Sequence, residues 1–182
     1  MLTRLREIVE KVASAPRLNE ALNILVTDIC LAMDTEVCSV YLADHDRRCY
    51  YLMATRGLKK PRGRTVALAF DEGIVGLVGR LAEPINLADA QKHPSFKYIP
   101  SVKEERFRAF LGVPIIQRRQ LLGVLVVQQR ELRQYDESEE SFLVANPRAS
   151  CGAGRGYRNG LARRDHAADG TGLRSVYAGY LS

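Results

Sequence analysis

The spacing of apolar residues changes abruptly near residue 36, and this change limits the chain to a mixed α and β fold. Before it, apolar residues recur every three or four positions, as on one face of a helix; they are Leu18, Leu22, Leu25, Ile29 and Met33. After it, they alternate at every second position, as in Cys38, Val40 and Leu42. We therefore predict a helix over residues 18–33 and strands over residues 36–44 and 49–55.

The same spacing rules assign the rest of the first 144 residues. We predict an N-terminal amphipathic helix over residues 2–14, which Pro16 ends. Beyond the first two strands we predict further strands over 65–70, 85–87, 109–116 and 121–128, a short helix over 74–81, a polar lid over 89–103 and a helix after Tyr135. This order indicates an α/β fold of the two-layer α+β type, with a central antiparallel sheet of five to six strands and helices on both faces.

Charge and hydropathy exclude several classes of protein. Residues 145–182 contain six Arg, no Lys and two Asp, so this segment carries +4 of the chain's net charge of +6. The remainder is nearly neutral, which argues against nucleic acid as a partner. The longest mostly apolar run, residues 121–127, is far shorter than the roughly 20 residues of a membrane helix. Because the start does not resemble a secretion signal, we expect a cytoplasmic protein that binds no membrane.

The cysteines and histidines show no metal-ligand spacing. No two of the four cysteines form a C-x-x-C pair, and the three histidines lie outside any such pattern. We therefore expect no metal site and no cofactor. Cys30, Cys38 and Cys49 lie in predicted helix or strand, where cysteine usually acts as a small buried apolar residue.

Residues 145–182 lack the periodicity of the preceding chain. Twenty of these 38 residues are Ala, Gly or Arg, and only four are Leu, Ile or Val. Such a segment cannot offset its ordering entropy by burial. We therefore divide the chain into a domain over residues 1–144, with the N-terminal helix in 1–17, and a disordered tail over 145–182. We favour a non-native origin for the tail, by out-of-frame translation, over a natural flexible basic tail.

Several short motifs, taken in order, resemble the GAF domain family. They are Gly73-Ile74-Val75-Gly76, Glu83-Pro84-Ile85, Asp89 with His93-Pro94 and Phe96, Phe110-Leu111-Gly112-Val113-Pro114-Ile115, and Leu122-Gly123-Val124-Leu125-Val126. The resemblance covers about residues 18–144 and implies a GAF/PAS-like sheet and a regulatory domain that senses a small molecule. Within the family, the chain is most similar to the GAF domains that belong to phosphoenolpyruvate-dependent protein phosphotransferases of the nitrogen phosphotransferase system.

That nearer resemblance implies an effector, a partner and a lack of catalysis. The implied effectors are glutamine and 2-oxoglutarate, and the implied partners are the phosphotransferase domains of a parent chain. None of His45, His93 and His166 lies in a Gly-rich Thr-Ser-His setting like that of a phosphorylated histidine. We therefore expect that this chain has no catalytic residue and transfers no phosphate by itself.

We predict a ligand-binding pocket between the sheet and the lid, walled by the helix over 74–81. Backbone N–H groups at a helix start favour a carboxylate, and Arg106 or Arg108 would hold a second carboxylate in bidentate fashion. The predicted ligand-binding residues are Phe70, Gly73, Ile74, Val75, Asp89, Phe96, Arg106, Arg108 and Phe110. The alternative is that the three phenylalanines belong to the core and the arginines face solvent.

Two other functions have distinct signatures. Some GAF domains reduce free methionine sulfoxide with lid cysteines, but this chain has no cysteine between Cys49 and Cys151, which argues against an enzyme. A structural dimerisation module without a ligand is the remaining alternative. Its signature is a two-heptad apolar seam that would pair with its copy in a homodimer, formed by Leu2, Leu5, Val9 and Val12. The same helix would otherwise pack on its own sheet.

Overall fold

The structure is a computed structural model that describes residues 2–59, 65–98 and 107–153, with the backbone alone for residue 2 and residues 146–153. Within these ranges the helices are α1 (Leu2–Ser14), α2 (Leu18–Ala32), α3 (Gly73–Leu81) and α4 (Glu137–Ala153), and a 3-10 turn spans Ala90–Lys92. The strands are β1 (Val37–Asp44), β2 (Cys49–Arg56), β3 (Ala67–Ala69), β4 (Ile85–Leu87), β5 (Ala109–Gln117) and β6 (Gln120–Gln129). They form one antiparallel sheet in the order β3-β2-β1-β6-β5-β4. The predicted fold class is confirmed.

Each face of the sheet carries its own core. Helices α1, α2 and α4 cover what we call the helix-side core, which includes Val40, Leu111, Leu125 and Val127. On the other face lies the lid-side core, which includes Tyr41, Tyr50, Val78, Phe110, Val124 and Val126. The side chains of β6 alternate between the two cores because successive residues of a strand point to opposite faces. This strand is therefore buried on both faces.

Among the described residues, helix α1 packs mainly against α2 and α4. Its buried face consists of Ile8, Val12 and Ala15, with Leu5 partly buried beside them. The predicted seam does not coincide with this buried face, because Ile8 and not Val9 belongs to the core; pairing of the seam with a second copy stays a prediction. Val12 and Leu5, which the seam shares with the observed face, are already used within the chain.

Helix α3 lies unusually close to the sheet. A Cβ atom placed on Gly79 would lie 1.8 Å from the Tyr50 hydroxyl oxygen, which leaves no room for any other side chain. At the other end of the helix, Gly73 has φ +67°, a conformation that glycine adopts without strain. Gly79 thus allows the close approach of α3 to the sheet.

Helix α4 begins with a capping box and continues further than predicted. The Asp136 N–H donates to Glu139 Oε2 at 2.9 Å, and the Glu139 N–H donates to Asp136 Oδ1 at 2.9 Å. Phe142 and Leu143 are buried in the helix-side core. The helix then extends beyond Val144 to Ala153, where we expected disorder. Residues 154–182 lie outside the described residues, so disorder there stays a prediction.

Candidate functional site

The start of α3 presents backbone and not side chains to a ligand. Gly73, Ile74 and Val75 are its first three residues, so their N–H groups lie at the helix start. The side chains of Ile74 and Val75 are buried in the lid-side core. Any role of these residues in recognition would therefore rest on their N–H groups.

An ion pair connects the start of α3 to the lid. Glu72 directly precedes α3, and its carboxylate accepts the Ala69 N–H at 3.0 Å. The same carboxylate lies 2.9 Å from the Lys97 ammonium group. The Ala69 N–H and Lys97 together lower the pKa of Glu72. Lys97, 25 residues further along the chain, is thereby fastened to the helix that walls the predicted pocket.

A second ion pair holds the other end of the described lid, residues 89–98. Arg108 donates to both carboxylate oxygens of Asp89, from Nε at 3.3 Å and from Nη2. Lys92 Nζ lies 3.7 Å from the same carboxylate. The hydrogen bond from Arg108 is the main cause that lowers the pKa of Asp89. The backbone contributes as well, because the Ala90 N–H donates to the Arg108 carbonyl at 2.7 Å.

The three predicted phenylalanines occupy different positions on the lid-side core. Phe110 is buried at 3% exposure, and its ring lies over Gly112, beside Val78. Phe70 is half-buried, with its ring centroid 4.7 Å from that of Tyr50 and 5.5 Å from that of His45. Phe96 is also half-buried against this core. Phe110 is thus a core residue, whereas Phe70 and Phe96 keep part of their surface accessible.

The structure brings together only some of the predicted site residues. Asp89 and Arg108 are in direct contact, so the arginine that we predicted as a ligand clamp already holds a carboxylate of the chain. Arg106 lies outside the described residues. Sequence reasoning missed Glu72 and Lys97 as a pair. The only signal in the sequence was the acidic residue before α3, and acidic residues at a helix start are common because they suit the helix dipole.

None of the described cysteines lies in the lid. Cys30 and Cys38 are buried in the helix-side core, on the face of the sheet opposite to the lid. Burial raises the pKa of Cys30 to about 11 and that of Cys38 well above its usual range. Neither is therefore a reactive thiolate at neutral pH. Among the described residues, no group of three or more His, Cys, Asp or Glu is placed to hold a metal ion.

Comparison with known proteins agrees with this architecture. The family model described as "GAF domain" matches residues 17–145. The chain belongs to the GAF domain family. Within the described residues, no helix of this GAF domain is both long and apolar enough to cross a membrane.

Three relatives show which GAF domains this chain is similar to. It is 99% identical over 144 residues to an Escherichia coli (strain K12) protein named "Phosphoenolpyruvate-dependent phosphotransferase system". The matched region covers 79% of this chain but only 19% of that relative. The GAF domain of a phosphoenolpyruvate-protein phosphotransferase from Coxiella burnetii is 44% identical, with a TM-score of 0.76, over 82% of this chain and 89% of that chain. The corresponding Acinetobacter domain is 39% identical, with a TM-score of 0.74, over 86% and 94%.

Proposed function

We propose that this chain is the regulatory GAF domain of a phosphoenolpyruvate-protein phosphotransferase of the nitrogen phosphotransferase system. The 99% identity over 144 residues to the E. coli relative carries this proposal. The chain spans about a fifth of that relative's length, so the phosphotransferase domains that it would regulate belong to the rest of such a protein. The proposed site of action is the cytoplasm, where phosphoenolpyruvate is made and used.

The proposed effector binds on the lid side of the sheet, near the start of α3. Two ion pairs, Glu72–Lys97 and Asp89–Arg108, fasten the lid there. A charged ligand would exchange with one partner of a pair and thereby release or reorder the lid. Ligand binding changes a conformational equilibrium only through such differences in contacts between the two states.

Glutamine and 2-oxoglutarate both carry groups that these ion pairs can bind. Glutamine has one ammonium and one carboxylate group at neutral pH, so it can meet one anion and one cation of the pairs. 2-Oxoglutarate has two carboxylates, for which Lys97 and Arg108 supply two cations, and Lys92 lies 3.7 Å from the Asp89 carboxylate as a third. We therefore propose glutamine or 2-oxoglutarate as the effector.

We also propose that the chain itself transfers no phosphate. The His45 ring pairs through Nε2 with the Leu121 carbonyl at 2.8 Å. His93 Nδ1 accepts the Ser95 N–H at 3.1 Å. Both histidines thus support local backbone structure, in the turn after β1 and in the lid.

Isothermal titration calorimetry with glutamine and with 2-oxoglutarate tests the proposed effector. We expect at least one of the two metabolites to release or absorb heat at millimolar concentrations. Arg108→Gln should weaken the binding of that metabolite about tenfold or more, because it removes a charge-assisted bidentate contact. Arg80→Gln is the matched control, since Arg80 is an exposed arginine in the last turn of α3. No heat with either metabolite, from protein that circular dichroism shows to be folded, would disprove the effector proposal.

The dimerisation alternative can be tested at the exposed surface of the helical layer. Leu31 on α2 is 62% exposed, and such single exposed leucines are common, so it is a site for the test and not evidence for a dimer. If α2 forms a dimer, Leu31→Lys should convert the dimer to a monomer in light scattering. A monomer mass for the unsubstituted chain at micromolar concentrations would exclude this role.

A further inference from the structure

Strand β4 has one face towards the candidate site and the other towards the helices. Ile85 and Leu87 pack against the lid-side core. Asn86 lies between them and pairs in register with Leu111, a residue of the helix-side core. Since strand side chains alternate, Asn86 points away from the lid. The lid begins two residues after this strand, at Asp89.

The Asn86 side chain binds the backbone immediately before α4. Its Nδ2 group donates to the Tyr135 carbonyl at 2.7 Å, and its Oδ1 accepts the Tyr135 N–H at 3.2 Å. The carboxamide thus forms the same two bonds as a paired residue of an antiparallel strand. In addition, Gln134 Nε2 donates to the Asn86 carbonyl at 3.4 Å. These bonds join segments that are 49 residues apart in the chain.

Tyr135 is held by several contacts directly before α4. Its side chain is 2% exposed, and its hydroxyl group lies 3.2 Å from Thr35 Oγ1. The Arg133 guanidinium lies 5.0 Å from the centre of its ring. The next residue, Asp136, forms the capping box of α4 with Glu139. A movement of the Tyr135 backbone would therefore move the first turn of this helix.

We propose that Asn86 is the positioning residue that couples the lid to helix α4. The proposal rests on the proposed regulatory function, and it names the connection through which a change at the lid reaches the last helix of the domain. The three-residue strand β4 is paired with β5 alone, at the edge of the sheet. A displacement of the lid pulls on this short edge strand, and the carboxamide of Asn86 passes that displacement to Tyr135.

Hydrogen exchange in the full chain tests the coupling without any ligand. The perturbation at the lid is Asp89→Ala, which removes the partner of Arg108. The readout is the exchange rate of the Tyr135 N–H and of the amides in the first two turns of α4, measured by nuclear magnetic resonance. Asn86→Ala alone should raise the exchange rate of the Tyr135 N–H about tenfold, because it removes the acceptor of that N–H.

The decisive result comes from combining these variants. We expect Asp89→Ala as a single substitution to raise the exchange rates in α4 several-fold. Added to Asn86→Ala, it should cause no further increase. Thr35→Val is the matched control, since it removes the hydrogen bond of the Tyr135 hydroxyl group but leaves Asn86 intact. In that background the effect of Asp89→Ala should persist. The proposal would be overturned if Asp89→Ala raised the exchange rates in α4 equally with and without Asn86. It would also be overturned if Asp89→Ala as a single substitution left those rates unchanged.

A second variant covers the case in which Asn86→Ala fails to fold. Asn86→Asp keeps an acceptor for the Tyr135 N–H but loses the donor to the Tyr135 carbonyl, so it should reduce the coupling by about half or more. Amides in the centre of β1 and β6 report whether each variant keeps its sheet. Because no metabolite is used, failure of this experiment is distinguishable from failure of the calorimetric test of the effector.

Discussion

Replacing Gly79 by alanine tests how closely α3 must approach the sheet. The new methyl group would lie 1.8 Å from the Tyr50 hydroxyl oxygen and 2.8 Å from Tyr50 Cζ, whereas ordinary contact begins at 3.4 Å. Tyr50 is 1% exposed, and its ring packs against Phe70 with 4.7 Å between centroids. The tyrosine therefore has no free space to turn into, and α3 itself must shift.

Two effects of opposite sign determine the change in stability. Alanine in place of glycine stabilises a helix by about 0.5–1 kcal/mol. Overpacking of a buried site costs about 1–3 kcal/mol. We expect the second effect to prevail, with a net loss of about 1–2 kcal/mol in the free energy of unfolding. For a chain of this length, that loss lowers the Tm by about 2–8 °C.

Thermal and urea unfolding, followed by circular dichroism, measure this loss. Arg80→Ala is the matched control because it changes the next, exposed position of the same helix and should alter stability by less than about 0.5 kcal/mol. Tyr50→Phe removes the oxygen that the new methyl group meets first, so the double variant should recover part of the loss. A higher Tm for Gly79→Ala, or no recovery by Tyr50→Phe, would refute the reasoning.

Three further predictions concern other parts of the chain. The turn between β5 and β6 holds Arg118 and Arg119 at φ 48° and 68°; replacing this pair by Asn-Gly should raise stability by about 1–2 kcal/mol in urea unfolding, and an unchanged midpoint would contradict it. The Ala69 N–H and Lys97 lower the pKa of Glu72 from its ordinary value of 4.5. Their contribution to the free energy of unfolding is therefore present above pH 4.5 and is lost as the pH falls through the lowered pKa. Glu72→Gln should be less stable than the unsubstituted chain at pH 7, and the difference in stability should vanish in acid. Iodoacetamide at pH 8 should modify half-buried Cys49 much faster than Cys30 or Cys38, whose thiols are buried; peptide mass spectrometry checks this order, and equal rates in the folded chain would show that the burial is wrong.

The helices and strands could be predicted because apolar spacing reports directly on which face of an element is buried. The same rule failed to choose the buried face of α1. The predicted seam through Val9 and the observed face through Ile8 both have apolar residues three or four positions apart, so spacing alone does not distinguish them. The choice depends on how α2 and α4 are placed, which is a property of the tertiary structure.

The contacts of the candidate site were less predictable than the elements that carry them. Types of residue suggested that the lid would bear charge, and Asp89 and Arg108 were both among the predicted site residues. Their mutual contact depends on how the lid folds back on β5, and no local pattern encodes it. The same holds for Asn86 and Tyr135, because a polar residue in a short edge strand gives no sign of a partner 49 residues away.

The buried face of α1 shows that the folded domain begins before the region that the family model matches. The family match begins at residue 17, yet Ile8, Val12 and Ala15 are only 3%, 8% and 5% exposed and contribute to the same core as Leu22 and Phe142. A fragment cut at the family boundary would leave that core open to water. The unit that unfolds as a whole is therefore longer than the unit that sequence families recognise, and a force or protease acting on the first helix acts on the folded GAF domain itself.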